Sequence, residues 1–389
     1  MNVDIAIVGA GPAGLCFARA LAGSGLSIAL IEKQPLAAIA EPAFDGREIA
    51  LTHASRGILS RLGLWQCFDA GEVSELRDAR VLNGDADTGL RVRAADGRSR
   101  QLGWLVPNQL IRRAAYDLVA PQAGVRLLAG QGVTGVVREG GQVALTLDGG
   151  GTVRARLLVA ADSRFSQLRR MLGIGARSYD HGKRMLVCRV AIARPHDHVA
   201  WEWFGYGQTL ALLPLAGDRA SVVLTLAPAE MAKVEAMDDT AFAAELERRF
   251  DGRLGAMRPD GTRHVYPLVS VFADRFVAAR AALVGDAAVG MHPVTAHGFN
   301  LGLQGAATLA DLVLQAHRRG EDIGSDAVLA RYARRHMFAA WPMYAATRLV
   351  VRVFTDDSTP VRGVRSAILR ISNRLPPLRR AIAARLTQA

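Results

Sequence analysis

Residues 3–8 form a short apolar, largely β-branched run that breaks at Gly9-Ala10-Gly11-Pro12-Ala13-Gly14. Apolar positions then recur at helical spacing over 15–22, and a second apolar run over 26–31 ends at Glu32. Strand, glycine turn, helix and strand in that order predict the opening of a parallel nucleotide-binding sheet. Residues 133–160 read differently: short strands are separated by Glu139-Gly140-Gly141 and Asp148-Gly149-Gly150-Gly151, which predicts an antiparallel meander of hairpins. Residues 184–193, 199–206, 209–214 and 221–226 alternate like further antiparallel strands and predict a second, antiparallel sheet. An apolar strand returns at 281–284, and the remainder is largely helical in pattern. There is no internal repeat and no low-complexity linker, so the two units are interleaved rather than strung in series. The expected division places 1–75, 101–172 and 270–320 in a nucleotide-binding domain and 76–100 with 173–269 in a substrate domain. Residues 321–389 form a C-terminal helical region with a basic tail.

Composition narrows the class. The 389 residues are 50% hydrophobic and 22% charged, which fits a folded protein and excludes a disordered or fibrous one. No apolar stretch reaches the roughly 18–20 residues that span a bilayer. The N-terminus has no basic segment or cleavage site, so no signal peptide is expected. Cys16, Cys67 and Cys188 are too few and scattered for a disulfide framework, and a reducing cytoplasm is the expected location.

The net charge of +12 is unevenly placed. From Arg348 onward nine arginines face Asp356 and Asp357, a local excess of 9 − 2 = +7. Only Lys33, Lys183 and Lys233 are lysines, so a lone arginine is weak evidence of an anion site. No basic groove with stacking aromatics or reading motif accompanies the charge, and nucleic acid is not an expected partner.

The chemistry begins at the glycines. Gly9 permits the tight turn, Gly11 lets backbone approach a pyrophosphate, and Gly14 lets the helix pack on the strand, with Ala13 beside them. Glu32 stands where an acid accepts hydrogen bonds from a ribose diol, and Lys33 follows it. These residues predict a dinucleotide without telling FAD from NAD.

Two later segments separate those alternatives. Residues 157–169, Leu-Leu-Val-Ala-Ala-Asp-Ser-Arg-Phe-Ser-Gln-Leu-Arg, resemble the Asp-Gly motif of flavoprotein aromatic hydroxylases. Ala281-Ala282-Leu283-Val284-Gly285-Asp286-Ala287-Ala288, with His292-Pro293 and Gly298-Phe299-Asn300-Leu301-Gly302, resembles their Gly-Asp motif. With the N-terminal glycines, these resemble the three fingerprints of single-component, FAD-dependent (class A) ring monooxygenases. Asp45-Gly46-Arg47-Glu48-Ile49-Ala50-Leu51, residues 104–110 with Asn108, residues 208–215 ending in Leu-Pro-Leu and Tyr266-Pro267-Leu268 resemble the ubiquinone-biosynthesis hydroxylases within that group. The departures are Ala161 and Ser163 at two glycine positions, Val289 at a frequent histidine, and Ala296-His297-Gly298 in place of Gly-Gln-Gly.

The resemblance implies a glutathione-reductase-like FAD-binding Rossmann domain with an interleaved antiparallel substrate domain. It implies FAD as cofactor, NAD(P)H as transient reductant, O2, and a polyprenylated phenol or quinol ring as the acceptor. Asp286, beside Gly285, is expected to accept from ribityl hydroxyls. Backbone N–H groups of Ala296, Gly298 and Phe299 are expected to face the flavin pyrimidine, with Asn300 following. Arg47 is expected to be a cation near FAD, Asn108 and Asp162 are further cofactor candidates, and Pro293 would present a rigid surface close to the flavin ring. No catalytic residue is assigned; His292 and His53 are candidate bases, with Pro293 beside them. A soluble aromatic substrate, and a non-catalytic flavoprotein scaffold, stand as alternatives.

Other features carry less. His196-Asp197-His198 lacks a third metal ligand, and no metal is expected. Trp201-Glu202-Trp203 does not continue as a flavin-halogenase signature, and Cys16 reads as core. In the tail, Val350, Val351, Val353, Phe354, Val364, Ala367, Ile368 and Ile371 interleave with Arg352, Arg365 and Arg370, and Leu378, Ile382 and Leu386 recur every fourth residue. Such segments suit either an anionic membrane surface on the inner face of the cytoplasmic membrane, or packing on the enzyme's own body or on partner subunits.

Overall fold

In the computed structural model, which describes residues 1–389 except 85–88, 98, 357, 376, 378–379, 381–382 and 384–389, the N-terminal pattern forms as expected. Strand Asn2–Val8 turns through the glycines into helix Pro12–Ala20 and returns as strand Ile28–Glu32. Asn2–Val8 pairs in parallel with Ile28–Glu32 on one side and with Thr152–Ala160 on the other. Flanked on both edges, it carries apolar residues on both faces, and Ile5, Ala6 and Ile7 are wholly buried. The first sheet runs Val277–Ala278, Ala281–Leu283, Thr152–Ala160, Asn2–Val8, Ile28–Glu32, Val125–Ala129. Strands Val133–Glu139 and Gln142–Leu147 hang from Thr152–Ala160 as the predicted antiparallel hairpins.

The second sheet is antiparallel except at one pair. Its order is Val289–Gly290, His264–Ala273, Ala176–Ile192, Arg219–Leu226, Thr209–Pro214, Val199–Phe204, Asp78–Asn83, Leu90–Arg93. Strand Ala176–Ile192 starts before residue 184, where the alternation begins. Its polar first part is held by pairing with 269–273 across a bulge between Asp180 and Arg184. Non-local partners, not local pattern, make that half a strand. Strand His264–Ala273 stays in this sheet beyond residue 270, and Val289–Gly290 returns to it. A small third sheet joins Glu48–Leu51, Gly103–Pro107 and Ser74–Leu76.

Three helices close the fold. Helix Gly298–Arg318 lies against helix Pro12–Ala20, and the long helix Asp326–Phe354 packs on Gly298–Arg318. Tail helix Thr359–Arg374 covers Leu90, Val92, Phe204 and Phe354 with Leu369. Arg365 corrects the sequence reading of the tail. Rather than facing solvent or lipid, it is fully buried and donates to the Phe354 carbonyl. Leu378, Ile382, Leu386, Arg379 and Arg385 lie outside the described residues. Among the described residues, no helix is long and apolar enough to cross a membrane.

Candidate active site

The three glycines do different work. Gly9 has φ of 109°, and a Cβ there would run into the Ala161 carbonyl. A Cβ on Gly14 would strike the Gly9 carbonyl, which is why Gly14 is buried in the helix–strand contact. Gly11 differs: its φ is −74°, and a Cβ would meet nothing within 4 Å. Protein packing therefore gives no reason for glycine at position 11. The open space it preserves at the N-terminus of Pro12–Ala20 fits a pyrophosphate.

That space belongs to a cavity of about 1300 Å³ reaching from the first sheet, across the face of the second, to the end of the long helix. Gly9, Gly11, Ala13, Glu32 and Lys33 line one end. Arg47, Asn108 and Asp162 line it from the neighbouring loops, and Gly285, Asp286, Pro293, Ala296, Gly298 and Phe299 from the third motif. Two expected residues stand outside the lining. Gly14 is under the turn, and the Asn300 amide is consumed by tying backbone together. Its Oδ1 accepts from Thr52 N–H at 3.1 Å, and its Nδ2 donates to the Ala50 and Ala296 carbonyls at 2.8 and 3.0 Å.

Charged groups at this end hold one another. Glu32 accepts from the Ala10 N–H at 2.7 Å and the Gln34 N–H at 3.0 Å, which fixes its carboxylate beside the glycine turn. Arg47 pairs with Asp45, which also accepts from the Asn108 amide at 2.7 Å. Burial raises the Asp45 carboxyl, but the bonds from Arg47 and Asn108 outweigh it and hold it below the usual range. Asp162 accepts from Ser166 Oγ and from Leu168 N–H, so it caps the short helix Gln167–Met171 as well as facing the cavity.

Two arginines of the second motif stitch it to the third, a link that spacing does not reveal. Arg164 forms an ion pair with Asp286 at 2.8 Å and donates to the Val269 carbonyl at 3.0 Å. The buried Arg169 donates to the Ala287 carbonyl at 2.9 Å. Ser163, at a glycine position of the motif, has φ of 121°, and Ala296, at another, has φ of 53°. The turns keep a left-handed backbone although the residues are not glycine, at a cost on the order of 1 kcal/mol each. The Ala296 N–H is taken by the Pro293 carbonyl at 2.8 Å, which removes it from the expected set of flavin-facing donors. The N–H groups of Gly298 and Phe299 have no acceptor among the described residues.

The histidine candidates fare poorly as bases. His53 does not line the cavity; its ring packs edge-on against Trp104 at 4.7 Å, and Nε2 meets the Gln101 carbonyl at 3.0 Å. His292 does line it. Burial, with the charges of His181 and Arg164, drives its pKa down to about 3, and Nδ1 accepts from Val294 N–H. A ring that weakly basic cannot hold a proton near neutrality. His196 uses Nε2 on the Leu215 carbonyl and Nδ1 on the His198 N–H.

Sequence reasoning assigns Glu202 no role. Strand Val199–Phe204 sends Trp203 into the core under the second sheet and turns Glu202 and Phe204 to the other face. Of the lining residues contributed by this strand and by strands Thr209–Pro214 and Arg219–Leu226, Glu202 is the one ionisable group; the rest are Phe204, Thr209, Ala211, Leu213, Val223 and Thr225. Burial alone pushes its carboxyl up to about 8. The signal was available: a glutamate between two tryptophans on an alternating strand must face away from both.

Comparison with known proteins fits this geometry. A family model described as an FAD binding domain matches residues 2–347. The chain is 45% identical over 391 residues to ubiquinone hydroxylase UbiM of Neisseria meningitidis, covering 100% of this chain and 85% of that protein. It is 38% identical to ubiquinone hydroxylase UbiL of Rhodospirillum rubrum over 97% of this chain and 87% of that one. The crystal structure of p-nitrophenol 4-monooxygenase from Pseudomonas putida has the same fold, with a TM-score of 0.80 at 18% identity, covering 98% of this chain and 97% of that one. The glycine turn, the stitched second and third motifs and the cavity they share are thus those of an FAD-dependent monooxygenase, and the chain belongs to the family of flavoprotein hydroxylases that includes the ubiquinone hydroxylases.

Proposed function

We propose that the enzyme hydroxylates the aromatic ring of a polyprenylated phenol or quinol on the route to ubiquinone, and that it meets this substrate at a lipid surface. The observation that carries the reading is the extent of the cavity, from Gly11 to the exposed Trp341 at the middle of the long helix and Leu349 near its end. A ring with a long apolar chain suits such a shape: the ring at the flavin end, the chain leaving past the helix.

Gly11 with the helix N-terminus would hold the pyrophosphate, Glu32 a ribose, Asp286 the ribityl chain, and Gly298 and Phe299 N–H the flavin pyrimidine. When bound, FAD accepts two electrons from NAD(P)H and delivers one oxygen atom of O2 to the ring. The apolar lining around Ala211, Leu213 and Val223 serves that chemistry by excluding water.

The outer face of the tail helix supports the lipid contact. Val364, Ile368 and Ile371, spaced i, i+4 and i+7, are 53, 40 and 55% exposed. Arg348 and Arg352 line the cavity nearby, and each such charge near anionic headgroups is worth on the order of 1 kcal/mol. Labelled O2 supplied to cells that accumulate the candidate intermediates should place label in a new ring hydroxyl. Its absence from every ring product, with NAD(P)H consumed only to peroxide, overturns the reaction. For the lipid contact, the chain should float with anionic liposomes at low salt, and Val364→Ser, Ile368→Ser, Ile371→Ser together should not. Equal flotation of both, or none by the parent, removes the membrane role.

A further inference from the structure

Glu202 stands on the wall of the cavity with nothing to do for the fold. Among the described residues its carboxylate makes no hydrogen bond or ion pair, and its cross-strand neighbours are Val81 and Ala211. On its own strand Phe204 shares its face, and that ring packs against Phe354 at 4.7 Å. A carboxyl with such neighbours costs stability, and folding returns no contact for it. Its open side is the cavity that the flavin motifs line.

We propose that Glu202 binds the hydroxyl of the aromatic substrate and takes up that hydroxyl's proton as the ring is attacked. The inference rests on the reading of the substrate as a phenol or quinol, and it adds the group that recognises it. As the O–H bond breaks, a carboxyl O–H forms on Glu202, and the electron pair left on oxygen feeds the ring carbon that bonds the incoming oxygen atom. That carbon then releases its hydrogen as a proton to the second oxygen atom, which leaves as water, the ring regains aromaticity, and Glu202 returns its proton to the original oxygen. The electrons that reduce the second oxygen atom to water come from NAD(P)H, so Glu202 ends each turnover as it began.

The carboxyl is tuned for the task. With a pKa raised to about 8, it is a stronger base than an ordinary carboxylate and sits closer to a phenol. Lys183, His181, Tyr179, Arg348, Arg352 and Asp356 face the same cavity from the other walls, yet burial is the only cause of the shift. Arg47 and Arg164, at the cofactor end, are spent on Asp45 and Asp286.

The test uses FAD-loaded enzyme and a short-chain 2-prenylphenol with its O-methyl ether as probes, binding being read from the flavin absorbance. The parent should bind the phenol at least ~10-fold more tightly than the ether, since a site built on a hydroxyl rejects the analogue lacking it. Glu202→Leu should bind the two alike with its flavin content unchanged. Glu202→Gln keeps a hydrogen-bonding group but no base. It should still bind the phenol, while product formed per NAD(P)H falls on the order of 100-fold, the smaller end of what a positioned base contributes. In the parent, kcat/KM should rise with pH and level above about 8, whereas the glutamine variant should lack that step. Discrimination that survives in Glu202→Leu, or a parent that shows none, overturns the proposal. So does a Glu202→Gln enzyme with unchanged coupling and pH profile. Binding is measured without turnover, so failure here is separable from failure of the hydroxylation itself.

Discussion

Gly11 and Gly14 belong to one motif but answer to different constraints, and single alanines separate them. Gly14→Ala pushes a methyl into the Gly9 carbonyl and should cost about 1–3 kcal/mol of stability in the flavin-free protein. Gly11→Ala meets only open space and has an ordinary backbone, so the flavin-free protein should melt where the parent does. Its flavin should instead be lost on gel filtration, because the methyl enters the open space proposed for the pyrophosphate. Thermal melts of both flavin-free variants, with the flavin absorbance of the purified proteins, check the pair. An unstable Gly11→Ala would show that the two glycines share a packing role, and one that retains its flavin would show that the space at Gly11 is not the pyrophosphate's.

At the scale of elements, the tail helix is held by a few inward contacts. Arg365 donates to the Phe354 carbonyl, Asn83 Nδ2 bonds Ser366 Oγ at 3.0 Å, and Leu369 enters the cluster around Phe204. Arg365→Ala leaves a buried carbonyl short of its donor, a loss of about 1–3 kcal/mol confined to this helix. Limited proteolysis should then cut the tail faster while the body melts unchanged; equal cutting would show that the arginine does not fasten it. The sequence could not announce this contact, because an arginine in a basic amphipathic run looks the same facing in or out. The glycine turn was legible because strand, turn and helix signals are local. The Arg164–Asp286 pair, the Asn300 clamp and the early half of Ala176–Ile192 each depend on partners far along the chain, and no window around any of them contains the reason. Glu202 is intermediate: its face was legible from alternation, whereas the cavity on that face was not.

The whole molecule carries a titration that favours neutral over acidic conditions. His336 is 3% exposed, lies nearly parallel to the Tyr332 ring, and its Nε2 has no partner among the described residues. Burial lowers its pKa from 6.5 to about 4. Between those values the unfolded chain binds a proton that the folded one refuses, so the full stability present above 6.5 is lost as pH falls toward 4. From pH 7 to pH 5 this amounts to about 2 kcal/mol. Urea melts at both pH values should show His336→Leu lacking that part of the decline; an undiminished decline would assign it elsewhere.

The way the chain shuttles between its sheets has a consequence for its synthesis. Strand Thr152–Ala160 lies in the first sheet between Asn2–Val8 and Ala281–Leu283, and the second sheet's strands from 176 to 273 are made in the interval. A ribosome therefore releases the glycine turn and its supporting strands long before the strand that seals their flank. Throughout that interval, Leu158 to Ala160 offers unpaired backbone along an apolar edge, open to any passing extended segment. Ala281–Leu283 covers that edge, with the Val284 N–H closing onto the Ala160 carbonyl at 2.9 Å, and the Gly-Asp motif follows directly. This flank of the first sheet is thus closed at the same stage of synthesis at which the last of the three cavity-lining motifs emerges, leaving Val277–Ala278 and Val125–Ala129 as the sheet's outer strands.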